Sequence, residues 1–310
     1  VYYNRYYIAE SLEVKSMIDK YYSGIFINPA DYDSDLNILY ANAGMFQGDY
    51  ADQLLRIRNM SGNYPAGEFV SLNTGTQVPF SHVKLSPHSP QGTSTLFVGS
   101  QSGRLFKVTN AQSGQMNVAD IGSENFPAAN ISCIAVGQSE DFLMVTFSNY
   151  GVSSVWITQD GGETWIEKEG NLPDMPVRWA ILHPDNETVA LLATEIGVWT
   201  CTDLLSENAT WYPDGDAFPN VRVDMLQLRK SDNTVVAATH GRGLFTTAFR
   251  QDLVNMTNPE QSPDWSIFPN PATTECTLEL NSEKATGISV SLYDIAGKQV
   301  WKTTEQINTG

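Results

Sequence analysis

Leu191-Leu192-Ala193-Thr194-Glu195-Ile196-Gly197-Val198-Trp199 is a run of small and apolar residues that ends in a glycine, with an aromatic close behind. The same signature returns in YANAGMF (Tyr40 to Phe46), FVGSQSGRLF (Phe97 to Phe106), MVTFSNYGVSSVW (Met144 to Trp156) and VAATHGRGLF (Val236 to Phe245). Its glycines, Gly44, Gly103, Gly151, Gly197 and Gly243, stand 59, 48, 46 and 46 residues apart. A unit of that length holds four short strands, read in the fourth copy as RWAILHP, TVALLAT, GVWTCTD and TWYPDG. Each is rich in β-branched and aromatic residues and is bounded by Gly, Pro, Asn or Asp. Four strands in roughly 40–50 residues is the arithmetic of a β-propeller blade. A pair of sandwiches would not return one signature at a near-constant step.

Working outward, the chain reads as all-β: a β-propeller of four-stranded blades, about five visible and the ring incomplete, followed by a truncated small antiparallel β-sandwich. The aromatics after the glycines, Phe106, Trp156, Trp199 and Phe245, are expected between neighbouring blades. The fifth copy shows no evident fourth strand. Either Val1 to Ser11 supplies it or the ring continues upstream, and the second is the reading taken. The first copy is stretched, which points to an insertion around Gln53 to Gly67, and a short helix is expected at Leu12 to Tyr22. The chain opens at Val1 without an initiator Met, a basic segment or an apolar leader, and reads as part of something longer at both ends.

The sharpest local motif is Thr158-Gln159-Asp160-Gly161-Gly162-Glu163-Thr164-Trp165. Asp160 can accept backbone N–H bonds across a tight turn, Gly161 and Gly162 can take positive φ, and Trp165 can pin the returning strand to its blade. The stretch resembles the Asp-box of BNR-type propellers, Ser/Thr-x-Asp-x-Gly-x-Thr-Trp, at every defined position. That family spans sialidases, sortilin-like receptors, xyloglucanases and exported proteins without assigned activity. In it the box is a surface turn remote from ligand, so the resemblance implies a structural role for Thr158, Asp160, Gly162, Thr164 and Trp165. THGRGLF is similar to the closing-blade segment of the same families, where His240 and Arg242 could line the mouth and meet a carboxylate or a sugar. The plainer reading makes His240 a turn residue and Arg242 half of a blade-to-blade ion pair.

Thirty-five acidic against 18 basic residues give a formal charge of -17, which repels phosphate backbones and excludes nucleic acid as a partner. No apolar run approaches the roughly 20 residues of a membrane-spanning helix. Cys133, Cys201 and Cys276 lack CxxC spacing and read as buried thiols, with a Cys133–Cys201 bridge the less favoured alternative. His82, His88 and His183 lack metal-ligand spacing, so no metal and no cofactor are expected. A glycosidase would need two opposed carboxylates; Asp31, Asp33, Asp35, Asp185 and Asp224 are available, and context distinguishes none of them.

After Phe249 a polar, proline-bearing stretch reads as a linker. The expected division is 1–249 propeller, 250–265 linker and 266–310 tail domain. In the tail, Ile267-Phe268-Pro269-Asn270-Pro271-Ala272 sets a rigid elbow ahead of a strand, and Val290-Ser291-Leu292-Tyr293-Asp294-Ile295-Ala296-Gly297-Lys298-Gln299-Val300 places a tight turn at Asp294 and Gly297. These elements resemble the type A sorting domain of the Bacteroidetes type IX secretion system, whose closing Gly-x-Tyr strand is absent because the chain stops at Gly310. The resemblance implies a secreted or cell-surface protein that passes the periplasm and outer membrane, with the type IX translocon and an outer-membrane shuttle barrel as partners. The propeller then acts as a binding or structural module for a glycan or protein ligand; the alternative is a secreted glycoside hydrolase of the xyloglucanase or sialidase kind.

Overall fold

The computed structural model describes residues 3–8, 14–19, 23–45, 49–62, 65–213, 220–249, 264–268, 277–281, 286–293 and 299–307. Every regular element among them is a strand. A hairpin of β1 (Tyr3–Ile8) and β2 (Val14–Asp19) comes first, paired from Tyr3↔Asp19 to Ile8↔Val14. This replaces the helix expected at Leu12 to Tyr22: Val14, Ser16 and Ile18 alternate along a strand whose partner, Tyr3–Ile8, is rich in tyrosine.

Four four-stranded antiparallel sheets and one of three strands follow. The first holds β3 (Ala30–Asp33), β4 (Ile38–Asn42), β5 (Gln53–Arg58) and β6 (Ala66–Ser71). The second holds β7 (Phe80–Leu85), β8 (Leu96–Ser100), β9 (Leu105–Thr109) and β10 (Asn117–Asp120). The third holds β11 (Ile131–Val136), β12 (Leu143–Phe147), β13 (Val155–Thr158) and β14 (Ile166–Glu167). The fourth holds β15 (Val177–His183), β16 (Asn186–Thr194), β17 (Gly197–Cys201) and β18 (Tyr212–Pro213). The fifth holds β19 (Val223–Arg229), β20 (Thr234–Thr239) and β21 (Gly243–Ala248). Strands pair with their sequence neighbours throughout, and the first strands of consecutive sheets pack on one another. These sheets are the blades of a β-propeller.

The expected insertion at Gln53 to Gly67 is corrected. Gln53–Arg58 is the third strand of the first blade and Ala66–Ser71 the fourth. The additional residues lie in 43–52, the connection from β4 to β5.

Burial on both faces explains why the second strands are solidly apolar rather than alternating. On β16, Val189, Leu191 and Ala193 face the fifth sheet, while Ala190 and Leu192 face the third. On β8, Leu96 and Val98 join a cluster with the first sheet, and Phe97 joins one with the third. Phe106, Trp156 and Trp199 belong to clusters that span two sheets, and Phe245 packs against another, as expected of the repeated aromatic. Each such side chain removed from water contributes about 1.5–3 kcal/mol. The sheets approach closely enough that a Cβ on Gly99 would stand 2.5 Å from Ile131 Cγ2 of the next sheet. Cys133 and Cys201 are buried free thiols, and burial pushes Cys133 up to about 12.

The chain divides into two compact units, Val1–Gln251 and Asp252–Gly310. In the second, β22 (Asp264–Phe268) pairs with β23 (Thr277–Asn281), and β24 (Thr286–Tyr293) pairs with β25 (Gln299–Ile307), both antiparallel. Pro269, Asn270, Pro271, Asp294 and Gly297 lie outside the described residues.

Candidate functional site

The Asp160 turn joins β13 to β14. Asp160 Oδ1 accepts the Thr164 N–H at 2.8 Å, Oδ2 accepts the Thr164 hydroxyl at 2.5 Å, and the Thr158 hydroxyl donates to Oδ1 at 2.7 Å. The Thr164 hydroxyl and N–H, then the Thr158 hydroxyl, hold the Asp160 carboxyl down to about 2. Gly161 and Gly162 take φ of 74° and 102°. Trp165 reaches further than expected: its Nε1 donates to Ile121 O, 2.7 Å away and following the second sheet, so it ties neighbouring blades rather than its own strand. Thr158 is buried, and its hydroxyl also accepts the Gly162 N–H at 3.0 Å. Thr158→Ala is therefore expected to lower stability by about 1–2 kcal/mol, read from denaturant unfolding; no change would leave the turn without a structural role.

The turns between second and third strands lie at the opposite end of the blades, since strands alternate in direction. That rim gathers the groups with chemical potential. A β-bulge falls at the same place in four successive first strands, and the bulged residues are Ser81, Ser132, Arg178 and Asp224. Bulges re-aim a side chain at a rim. The Ser81 hydroxyl donates to Ile131 O at 2.7 Å, and Ser132 donates to Val177 O at 2.6 Å, each crossing to the next blade. In the fourth and fifth blades the serines give way to charge. Arg178 grips Glu195 Oε2 at 2.6 Å, and Asp224 accepts from Arg222 Nε at 2.6 Å with His240 Nδ1 3.6 Å away. The His240 N–H donates to Arg222 O at 2.8 Å. Arg242 sits in the same turn between Gly241 and Gly243, at φ of 84° and 80°. It makes no ion pair among the described residues; Arg222 pairs with Asp224 within the fifth blade.

On the same rim, Glu169 Oε2 accepts the Ser154 N–H and Asp174 Oδ1 accepts the Gly151 N–H, both at 2.6 Å, so two carboxylates fasten the 148–154 loop that presents Tyr150. Burial pushes Glu169 up to about 7 against the pull of the Ser154 and Val155 amides, with Glu167 and Asp174 adding to the rise. Nothing in the local sequence marks Glu169. Arg178 and Asp224 were findable by aligning the second residue of each first strand.

The remaining sequence candidates are dispersed. Asp31 accepts the Leu85 N–H at 2.8 Å and pairs with Lys84, while Asp33 accepts the Leu36 N–H and the Ser94 hydroxyl. His88 Nε2 lies 2.8 Å from Gly137 O, and buried His183 lies 3.3 Å from Phe249 O. His82 on β7 is buried, its ring edge meets Trp179 of the fourth blade at 5.2 Å, and its Nε2 has no hydrogen-bond partner. Among the described residues no three His, Cys, Asp or Glu side chains converge as metal ligands.

Residues 266–310 match the family model of the secretion system C-terminal sorting domain. A tail of this kind indicates a secreted cargo of the type IX system. The sorting domain marks proteins exported across the outer membrane to the cell surface or the medium. No curated protein matches the cargo in sequence. Among solved structures it is similar to Raptor of Chaetomium thermophilum at 11% identity and a TM-score of 0.53, covering 92% of the cargo and 25% of that chain. It is similar to BBS1N in complex with ARL6DN at 13% and 0.51, covering 78% and 71%, and to an ancestral GH74 enzyme at 13% and 0.51, covering 91% and 38%. At such identities the likeness establishes the propeller fold alone. The cargo spans well under half the length of the first and third of these chains.

Proposed function

We propose that the protein is an Asp-box propeller from a Bacteroidetes-type bacterium, displayed or released through the type IX system as a binding module. Residues 1–249 form the propeller, 250–265 the linker and 266–310 the sorting domain, a truncated small antiparallel β-sandwich whose family motif includes Pro269, Asn270, Pro271, Asp294 and Gly297. The shuttle barrel engages that tail. The observation that carries the reading is the sorting-domain match over 266–310. His240 and Arg242 are the proposed ligand contacts, on the rim where the inner strands exchange serine for charge.

In a type IX-competent bacterium, the protein fused behind an export leader and completed with the family's closing strand is expected at the surface or in the medium. Deleting 266–310, or inactivating the translocon, should hold it in the periplasm. Release independent of the tail would refute the reading. The hydrolase alternative draws on Glu169 and Asp174 both gripping the 148–154 loop, where burial pushes the Glu169 carboxyl up to about 7. Reducing sugar released from polysaccharide by the exported protein, and abolished by Glu169→Gln, would replace binding with hydrolysis.

A further inference from the structure

The 148–154 loop turns the third blade from its second strand to its third, and it is fastened from two sides. On one side Asn130, just ahead of β11, does the work. Its N–H donates to Asn149 Oδ1 and its Nδ2 to Ser148 Oγ, both at 2.9 Å, and its carbonyl accepts the Ser148 N–H at 3.2 Å. On the other side the Gly151 and Ser154 amides end on Asp174 and Glu169, and both carboxylates belong to one connection, 168–176, which leads from the third blade to the fourth. Between the two grips stands Tyr150, 63% exposed, and a Cβ added at the adjoining Gly151 would meet only open space.

The two sides differ in kind. Amides and hydroxyls keep their bonds at any ordinary pH, whereas a carboxyl group changes its charge. Glu169 is half-buried, and the charges that bear on it have its own sign: Glu167 at the end of β14 and Asp174 on the same connection. The loop and β13 supply only the Ser154 and Val155 amides, since residues 148–158 contain no Asp, Glu, Lys, Arg or His. Among the described residues no cation pairs with the three carboxylates: Lys168 turns away to Ser206 O at 2.6 Å, and Arg178 of the fourth blade is taken by Glu195. Ionised Glu169 is thus kept from water among like charges. It escapes that state by keeping a proton, or by letting go of the loop and reaching solvent.

Linkage fixes the direction. Docked, the Glu169 carboxyl is pushed up to about 7; released and hydrated, it returns toward its ordinary 4.5. The docked form binds the proton more tightly, so rising pH favours release. We propose that the 148–154 loop is a pH-controlled clamp on the rim, docked against Glu169 in mildly acid medium and detached from the carboxylate side as the medium turns alkaline, swinging on its Asn130 bonds and re-aiming Tyr150. This goes beyond the binding reading and stands apart from it. A protein that bound no glycan, or was not exported, would keep the clamp.

The test is hydrogen exchange of the 310-residue protein, expressed as protection relative to the intrinsic rate at each pH. Between pH 6 and pH 8 the Gly151 and Ser154 amides should lose protection about tenfold, the ratio implied by a carboxyl near 7 when docked and near 4.5 when released. The amides of β12 should stay far better protected at both values, which makes the opening local. Glu169→Gln keeps an acceptor oxygen without the titration, so its loop should hold equal protection at both values. Glu167→Gln, an exposed change that removes one like charge, should shrink the drop. Equal protection of the wild-type loop at pH 6 and pH 8 would overturn the proposal. So would a drop that survives Glu169→Gln undiminished, or loop amides that open only together with β12.

Discussion

Trp211→Ala is expected to destabilise the propeller by about 3–5 kcal/mol, the range for emptying a large aromatic site in a core. Trp211 is fully buried in the cluster that joins the third and fourth blades. It is also the hydrogen-bonded centre of that seam. Its Nε1 donates to Lys168 O at 2.9 Å, its N–H donates to Asn171 Oδ1 at 2.7 Å, and its carbonyl accepts Asn171 Nδ2 at 2.9 Å. Gly170, at φ 55°, lets the chain pass so close that a Cβ there would collide with Ala209 O. The seam therefore has no room to collapse into the void, which places the loss toward the upper end. Denaturant unfolding of the purified protein measures it; a loss under about 1 kcal/mol would mean the two blades do not depend on this packing.

The second large effect is on pH dependence. Burial, with Lys84 adding and Asp31 and a backbone hydrogen bond at Ser132 opposing, lowers His82 from 6.5 to about 4. The unfolded chain takes up the proton first, so the contribution is complete above pH 6.5 and lost as pH falls toward 4. At about 1.4 kcal/mol per unit this reaches roughly 3 kcal/mol. Glu169 acts in the reverse sense: its value rises from 4.5 to about 7, and its contribution is lost as pH climbs through that window. The two oppose each other over most of the range. Wild-type stability should thus vary little between pH 4.5 and 6.5, and Glu169→Gln should expose a steep loss on acidification that a further His82→Leu removes. A flat profile for Glu169→Gln would contradict the assignment.

The Gly-then-aromatic signature was legible because it reports backbone geometry. Gly103, Gly151, Gly197 and Gly243 all take positive φ in the turn between second and third strands, a conformation that other residues adopt at a cost. Gly44 is not of that kind. In the first blade Tyr50 and Asp52 take positive φ instead, and the Gly44 N–H is held by Asn42 Oδ1. Its match to the signature was coincidental, and for that reason the insertion was placed after β5 had begun rather than before. The second strand of the N-terminal hairpin, Val14–Asp19, was misread as part of a helix because six residues cannot separate a period of 2 from one of 3.6 when polar residues interrupt both. For the rim, position alone marked His240 and Arg242. Glu169 stayed invisible because its character arises from burial working against the amides of Ser154 and Val155, 15 and 14 residues earlier, and a linear pattern carries neither.

The serine bonds that cross from Ser81 to Ile131 O and from Ser132 to Val177 O have no counterpart from Arg178, whose guanidinium is committed to Glu195. Mechanically the second-to-third and third-to-fourth joints are each riveted by a serine, whereas the fourth-to-fifth is held by its apolar packing and by the approach of His183 to Phe249 O at 3.3 Å. Under tension or partial heating, the last blade is the one expected to peel away, carrying Arg242 with it, while the middle of the molecule holds.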